Sequence, residues 1–186
     1  MNIKWKTMKM NALVEHARKY PDKALRYAVD RLPQNVQLEC ATRYPVVALR
    51  YAANRLPINV VIACARLSPA AALRCAAARL PKDVLISCAR RAPWEALEYA
   101  VDHLPPDTFI ECARMVPYAA LRYAADRLPQ DVLIDCVHRF PWEARQYAAN
   151  LLSKDIRDYL EWCAIRDVWR IPKNSLKIRS SNRSVN

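Results

Sequence analysis

Small and apolar residues return along this chain with a period of 24. Counted from Pro21, position 4 and position 8 are Ala and position 12 is Leu in all six successive repeats, and position 5 is Leu in five. Positions 4, 5, 8 and 12 share one face of a helix. A second helix takes its apolar side from position 16 (Val36, Val60, Val84, Thr108, Val132, Ile156), position 18 (Leu38, Ile62, Ile86, Ile110, Ile134) and a cysteine column at position 20 (Cys40, Cys64, Cys88, Cys112, Cys136). Prolines divide the pattern. Pro21, Pro45, Pro69, Pro93, Pro117 and Pro141 open the first helix of each repeat, where a missing N–H costs nothing. Pro33, Pro57, Pro81, Pro105 and Pro129 end that helix and open the second. Two residues later stands an acid or its amide (Asn35, Asn59, Asp83, Asp107, Asp131, Asp155). Its side chain is expected to accept orphan N–H groups at the helix start and, where charged, to complement the helix dipole.

Each predicted helix has about ten residues, too few to persist alone in water. Repeats of this kind gain stability only by stacking on their neighbours. The expected fold is therefore all-α: a right-handed solenoid of two-helix repeats, an α/α superhelix, with repeats starting at 21, 45, 69, 93, 117 and 141. Residues 1–20 read as an N-terminal half-repeat cap, in which Asn11, Val14, Ala17 and Arg18 keep the register and His16 takes the cysteine slot. The solenoid occupies 21–164. Residues 165–186 read as a C-terminal cap and basic tail, disordered by composition, with Trp162 and Trp169 covering the open end.

The motif ALRYAxDRLPxDVLIxCARR, with Pro opening each repeat, resembles two groups of helical repeats. One is the leucine-rich repeat variant, which pairs an α-helix with a shorter, often 3₁₀, helix. The other is a family of unknown function built from A-L-x-Y-A…L…D units, matched here by Ala120, Leu121, Tyr123, Ala124, Leu128 and Asp131. HEAT-like solenoids are the wider relatives, and they include protein scaffolds and DNA-binding proteins. The resemblance covers residues 9 to 164 and rests on packing positions, so it implies architecture rather than activity. An N-terminal cysteine cluster of the iron–sulfur type, found in some leucine-rich repeat variants, has no counterpart in this sequence.

Composition narrows the chemistry. There is no glycine in 186 residues, which removes the usual residue of phosphate-cradling loops and nucleophile elbows. No CxxC occurs, and His16, His103 and His138 are scattered. The regular cysteines read as small buried hydrophobes rather than ligands or disulfides, and Cys75, standing where five other repeats carry Tyr, reads as packing too. No apolar run approaches the ~18 residues of a membrane span. The expectation is a cytoplasmic, non-enzymatic protein with no metal, cofactor or small-molecule substrate and no membrane insertion.

Three surface features bear on partners. Arginine recurs at position 6 (Arg26, Arg50, Arg74) and position 11 (Arg31, Arg55, Arg79), joined by Arg90 and Arg91. Guanidinium ladders of this kind match phosphates, although solvated helix faces would look the same. Charge is uneven: residues 1–92 hold 17 Lys/Arg against 5 Asp/Glu, residues 93–164 hold 7 against 12, and 165–186 hold 6 against 1. Position 2 turns aromatic in the second half, as Trp94, Tyr118 and Trp142, while Val46 and Ile58 suggest an apolar patch in the second repeat. The reading these favour is a protein-binding scaffold, an adaptor or an inhibitor of a larger machine, that docks through Trp94, Tyr118, Trp142, Val46 and Ile58. The alternative is DNA or RNA binding through the arginines of the basic half.

Overall fold

A computed structural model describes residues 5–166, apart from the side chains at 159 and 162–166. The basic tail and the expected cover by Trp162 and Trp169 lie outside this description. The described residues form thirteen α-helices and no strand. They are α1 (Met10–Lys19), α2 (Pro21–Tyr27), α3 (Gln34–Arg43), α4 (Pro45–Ala52), α5 (Ile58–Leu67), α6 (Pro69–Ala76) and α7 (Lys82–Arg91), followed by α8 (Pro93–Tyr99), α9 (Pro106–Met115), α10 (Pro117–Ala124), α11 (Gln130–Arg139), α12 (Pro141–Tyr147) and α13 (Lys154–Arg166). The chain divides into two compact lobes, with the boundary between Cys112 and Ala113.

Within the first lobe the helices form two rows. The first helices of successive repeats, α2, α4, α6 and α8, pack each on the next. The second helices, α3, α5 and α7, do the same, with α1 packed on α3 as the half-repeat ahead of them. In the second lobe α10 packs on α11 and α12, and α12 on α11 and α13.

Proline fixes both helix starts. Pro21, Pro45, Pro69, Pro93, Pro117 and Pro141 occupy the first turn of their helices. Pro33, Pro57, Pro81 and Pro129 are N-caps with φ between −54° and −56° and ψ between 146° and 148°. The Pro33 carbonyl already accepts from Val36 and Gln37, both at 2.9 Å. Position 15 therefore lies inside the first turn, and no side-chain cap bond forms at α3, α5, α7 or α11. What remains of the expected capping is electrostatic: Asp83, Asp107, Asp131 and Asp155 sit in first turns, where the dipole favours negative charge.

The first helix lasts only seven or eight residues before tightening into a 3₁₀ turn such as Val29–Arg31 or Ala125–Arg127. The break falls at the invariant Ala of position 8: Ala28 has φ −137° and ψ 6°, and Ala124 has φ −146° and ψ 18°.

Positions 4, 5, 8 and 12 are buried as the spacing predicts, except that Leu104 is half-buried and Arg145, at position 5 of the sixth repeat, is exposed. On the second helix the buried columns are 16, 17, 20 and 21, as in Val60, Val61, Cys64 and Ala65. Position 18 is half-buried or exposed, Leu38 at 39%. At 100° per residue those four columns span 140°, and position 18 lies well to one side of them. Position 17 is hard to read because Gln37 occupies it in the first repeat. That amide is buried, its Nε2 donating to the carbonyls of Val29 and Leu32, each at 2.9 Å.

The cysteine column has a second role besides filling space. A helix leaves its last carbonyls without intrahelical partners. The thiols of Cys40, Cys64, Cys88 and Cys112 point at such carbonyls in the preceding repeat, those of Ala17, Ala41, Ala65 and Ala89, with Sγ to O distances of 3.5–3.7 Å. All six cysteines whose side chains are described are free thiols. Burial pushes the thiols of Cys40, Cys64, Cys112 and Cys136 up to about 11 and raises that of Cys88.

Three measurements check this packing. Leu73→Ala empties a position 1% exposed and is expected to lower stability in urea by about 2–5 kcal/mol. The thiol groups favour folding while both states are protonated. That contribution is lost as pH rises from about 9, where unfolded thiols ionise, to about 11, where the buried ones do. Stability should fall across that window. In a Cys163→Ser background at pH 8, a disulfide reagent should label Cys75 at least ~100-fold faster than the position-20 thiols, with urea abolishing the difference.

Candidate docking groove

The first helices carry an ordered surface ladder. Position 6 of one repeat meets position 7 of the next: the Arg26 guanidinium lies 4.2 Å from the centre of the Tyr51 ring, and Arg74 lies 4.8 Å from that of Tyr99. Arg122 and Tyr147 repeat the contact in the second lobe at 5.8 Å. Each is a cation–π pair on an exposed face, worth about 0.5–1 kcal/mol. The spacing itself produces the ladder, because equivalent positions on stacked first helices are neighbours.

Within the first lobe one rung is missing. By the same register Arg50 should meet position 7 of the third repeat, which is Cys75. The short thiol leaves a groove of about 360 Å³ there, lined by Val46, Arg50, Ala70, Ala71, Arg74 and Cys75 together with Ser68. Among the described residues Arg50 retains only the ring of its own neighbour, Tyr51, at 5.5 Å. Val46 is 53% exposed, and Arg50 and Arg74 are exposed.

The electrostatic setting is one-sided. From residue 40 to residue 82 there is no Asp or Glu, while six Arg and one Lys fall in that stretch. Acids in the flanking repeats, Asp30 in the 3₁₀ turn after α2 and Glu98 in α8, already have partners. Asp30 is paired with Arg55 at 3.0 Å, and Glu98 accepts from Trp94 Nε1 at 3.2 Å.

Other sequence-predicted residues are placed differently. Position-11 arginines serve the fold. Arg31 donates to the carbonyls of Trp5 and Met8, the latter at 2.7 Å. Arg55 donates to the carbonyls of Leu25, Arg26 and Tyr51 at 3.4, 3.3 and 2.9 Å, and Arg79 to that of Leu56 at 3.1 Å. Arg90 pairs with Glu111 at 3.0 Å, and Arg91 donates to the Arg66 carbonyl at 2.7 Å. Of the eight arginines named for phosphate binding, the position-6 set, Arg26, Arg50 and Arg74, keeps its guanidinium groups on the open surface without a carboxylate or carbonyl partner among the described contacts.

Among the aromatics, Trp94 is half-buried in the first lobe, Tyr118 is half-buried in the second, where Arg122 donates to its hydroxyl at 3.4 Å, and Trp142 is 54% exposed with Arg145 6.0 Å from its ring. Val46 joins the groove, while Ile58, 44% exposed, begins α5. The groove was legible only as the one position-7 residue that is not Tyr. Trp5 was missed altogether: it is 6% exposed and stacks edge-on against His16 at 5.8 Å, covering the half-repeat.

Among the described residues no group of three or more His, Cys, Asp and Glu is arranged to hold a metal ion, and no helix is long and apolar enough to cross a membrane. Comparison with family models, with curated proteins and with solved structures finds no match to this chain.

Proposed function

We propose that the chain is a non-enzymatic protein-binding scaffold, a right-handed α-helical solenoid of the HEAT or leucine-rich-repeat-variant kind that docks an acidic protein partner on the first helices of its basic repeats. The observation that carries this reading is the Arg50–Arg74 groove, apolar at its floor and set in a stretch of 43 residues without a carboxylate. Acidic residues on a partner would find two exposed guanidinium groups and no competing anion. Val46 would supply an apolar contact of the kind that anchors interfaces. Ile58 on the same repeat and Trp142 on the other lobe are further exposed apolar residues that a partner can use.

Nucleic-acid binding is the second reading, and the alignment of Arg26, Arg50 and Arg74 with Tyr rings favours it specifically, since cations beside aromatic faces also suit single strands. Against it stands the consumption of Arg31, Arg55, Arg79 and Arg91 by backbone carbonyls. The two separate cleanly. Co-purification from nuclease-treated lysate should retain protein partners with the wild type and lose them with Arg50→Glu/Arg74→Glu. Retention that disappears on nuclease treatment, together with a gel shift on RNA or DNA that weakens steeply with salt, overturns the protein-binding reading.

A further inference from the structure

We infer that the groove at Cys75 is a socket for one aromatic side chain of a separate acidic protein segment, which completes the interrupted arginine–tyrosine ladder from outside. The inference rests on the protein-binding reading above and deepens it by naming what enters the groove.

The fold itself displays the occupant. At Arg26–Tyr51, Arg74–Tyr99 and Arg122–Tyr147 a ring from the next repeat lies against a position-6 guanidinium. At Arg50 the ring is absent because position 7 is Cys75, and the space it leaves is open to solvent between Val46 and the small side chains of Ala70 and Ala71. An inserted ring meets Arg50 on a face, as the internal tyrosines meet their arginines, and finds apolar side chains of the groove at its edges. A ring placed there also contacts Arg74. Carboxylates flanking it on the partner chain pair with those two guanidinium groups, since the helices that form the groove carry no acid of their own. The preferred ligand is thus an aromatic residue with Asp or Glu on either side, not a bare polyanion.

Titration with synthetic peptides followed by fluorescence anisotropy tests this on the full chain. The probes are a short Glu-rich peptide with one central Trp, its counterpart with Ala for Trp, and a third with Gln for every Glu. Wild type should bind the Trp peptide at least ~10-fold tighter than the Ala peptide, the difference that a ring packed on a cation and apolar surface supplies. Cys75→Tyr restores the residue that five other repeats carry at this position, so it fills the socket without a foreign side chain in the fold. It should remove the preference for Trp, while Cys75→Ala keeps it. Equal binding of the Trp and Ala peptides to wild type, or an undiminished preference in Cys75→Tyr, overturns the socket. If those two peptides still bind better than the Gln peptide and lose that advantage in Arg50→Glu/Arg74→Glu, the basic docking face stands and only its aromatic socket falls. If the acidic peptides bind no better than the neutral one, both fall. Two other occupants have their own signatures, and either overturns the separate-partner proposal: sedimentation of the protein alone as a dimer that Cys75→Tyr dissociates, or single-stranded oligouridylate binding tighter than the Trp peptide and likewise lost in Cys75→Tyr.

Discussion

Helices of seven to ten residues leave most of their terminal backbone groups unpaired, and this constraint governs the repeat. A long helix dilutes its four orphan carbonyls among many satisfied ones; here α3, α5, α7, α9 and α11 each end within three turns, and side chains of the next repeat cover such ends. The position-20 thiol reaches the carbonyl at position 21 of the preceding repeat, as Cys64 does to Ala41. Arginine at position 23 reaches the carbonyl at position 22, as Arg91 does to Arg66 and Arg139 to Arg114. At position 11, Arg55 covers first-helix ends in the same way, through the carbonyls of Leu25, Arg26 and Tyr51, whereas Arg31 and Arg79 bond loop carbonyls of Trp5, Met8 and Leu56. Cysteine suits its slot because it is small enough for the tight packing between neighbouring second helices and still brings a weak donor. Serine would bring a better donor but a more costly hydroxyl wherever the carbonyl moved out of range.

The same regularity separates structural arginines from available ones. A guanidinium that has folded back on two or three carbonyls gives up its geometry for bidentate recognition, so Arg55 is unsuited to a phosphate although its spacing fits one. A guanidinium lying on a ring face keeps its edge N–H groups free to meet an anion, and that is the state of Arg26 and Arg74. Counting basic residues overstates the binding surface. Which carbonyls lie within reach decides it.

Much of the architecture could be read from the sequence because it depends on identities that repeat. The opening proline of each repeat marks a helix start, and alanine at positions 4 and 8 with leucine at position 12 marks the buried stripe without ambiguity. Position 17 could not be read, since Gln37 and Arg157 break the column and Ile at position 18 offers a more regular decoy. Position 15 misled for a different reason: an Asp or Asn two residues past a proline resembles a cap, yet a proline that is itself the N-cap puts the acid at the second helical position. The role of the position-11 arginines depends on contacts 23 to 30 residues away in sequence, which no local pattern reveals. Cys75 was visible as an exception to its column, but its meaning required Arg50 and Val46 to be placed beside it.

Exceptions to a repeat carry information that the repeat itself cannot. Arg18 and Arg90, at position 22, pair with Glu39 and Glu111 at position 19 of the following repeat, each within 3.1 Å. Between them, Arg66 faces a repeat whose position 19 is Ser87. Exposed pairs of this sort add at most about 1 kcal/mol apiece, so losing one costs the fold little. Its effect on the surface is larger: the same repeats that lack the position-19 acid also lack every other carboxylate from 40 to 82, and uncompensated guanidinium groups raise the local potential over a length comparable with the ~8 Å screening distance in physiological salt. Under the docking proposed above, a partner's carboxylates are drawn to the two repeats whose ladder is incomplete, and the ladder's gap gives them a fixed point at which to stop.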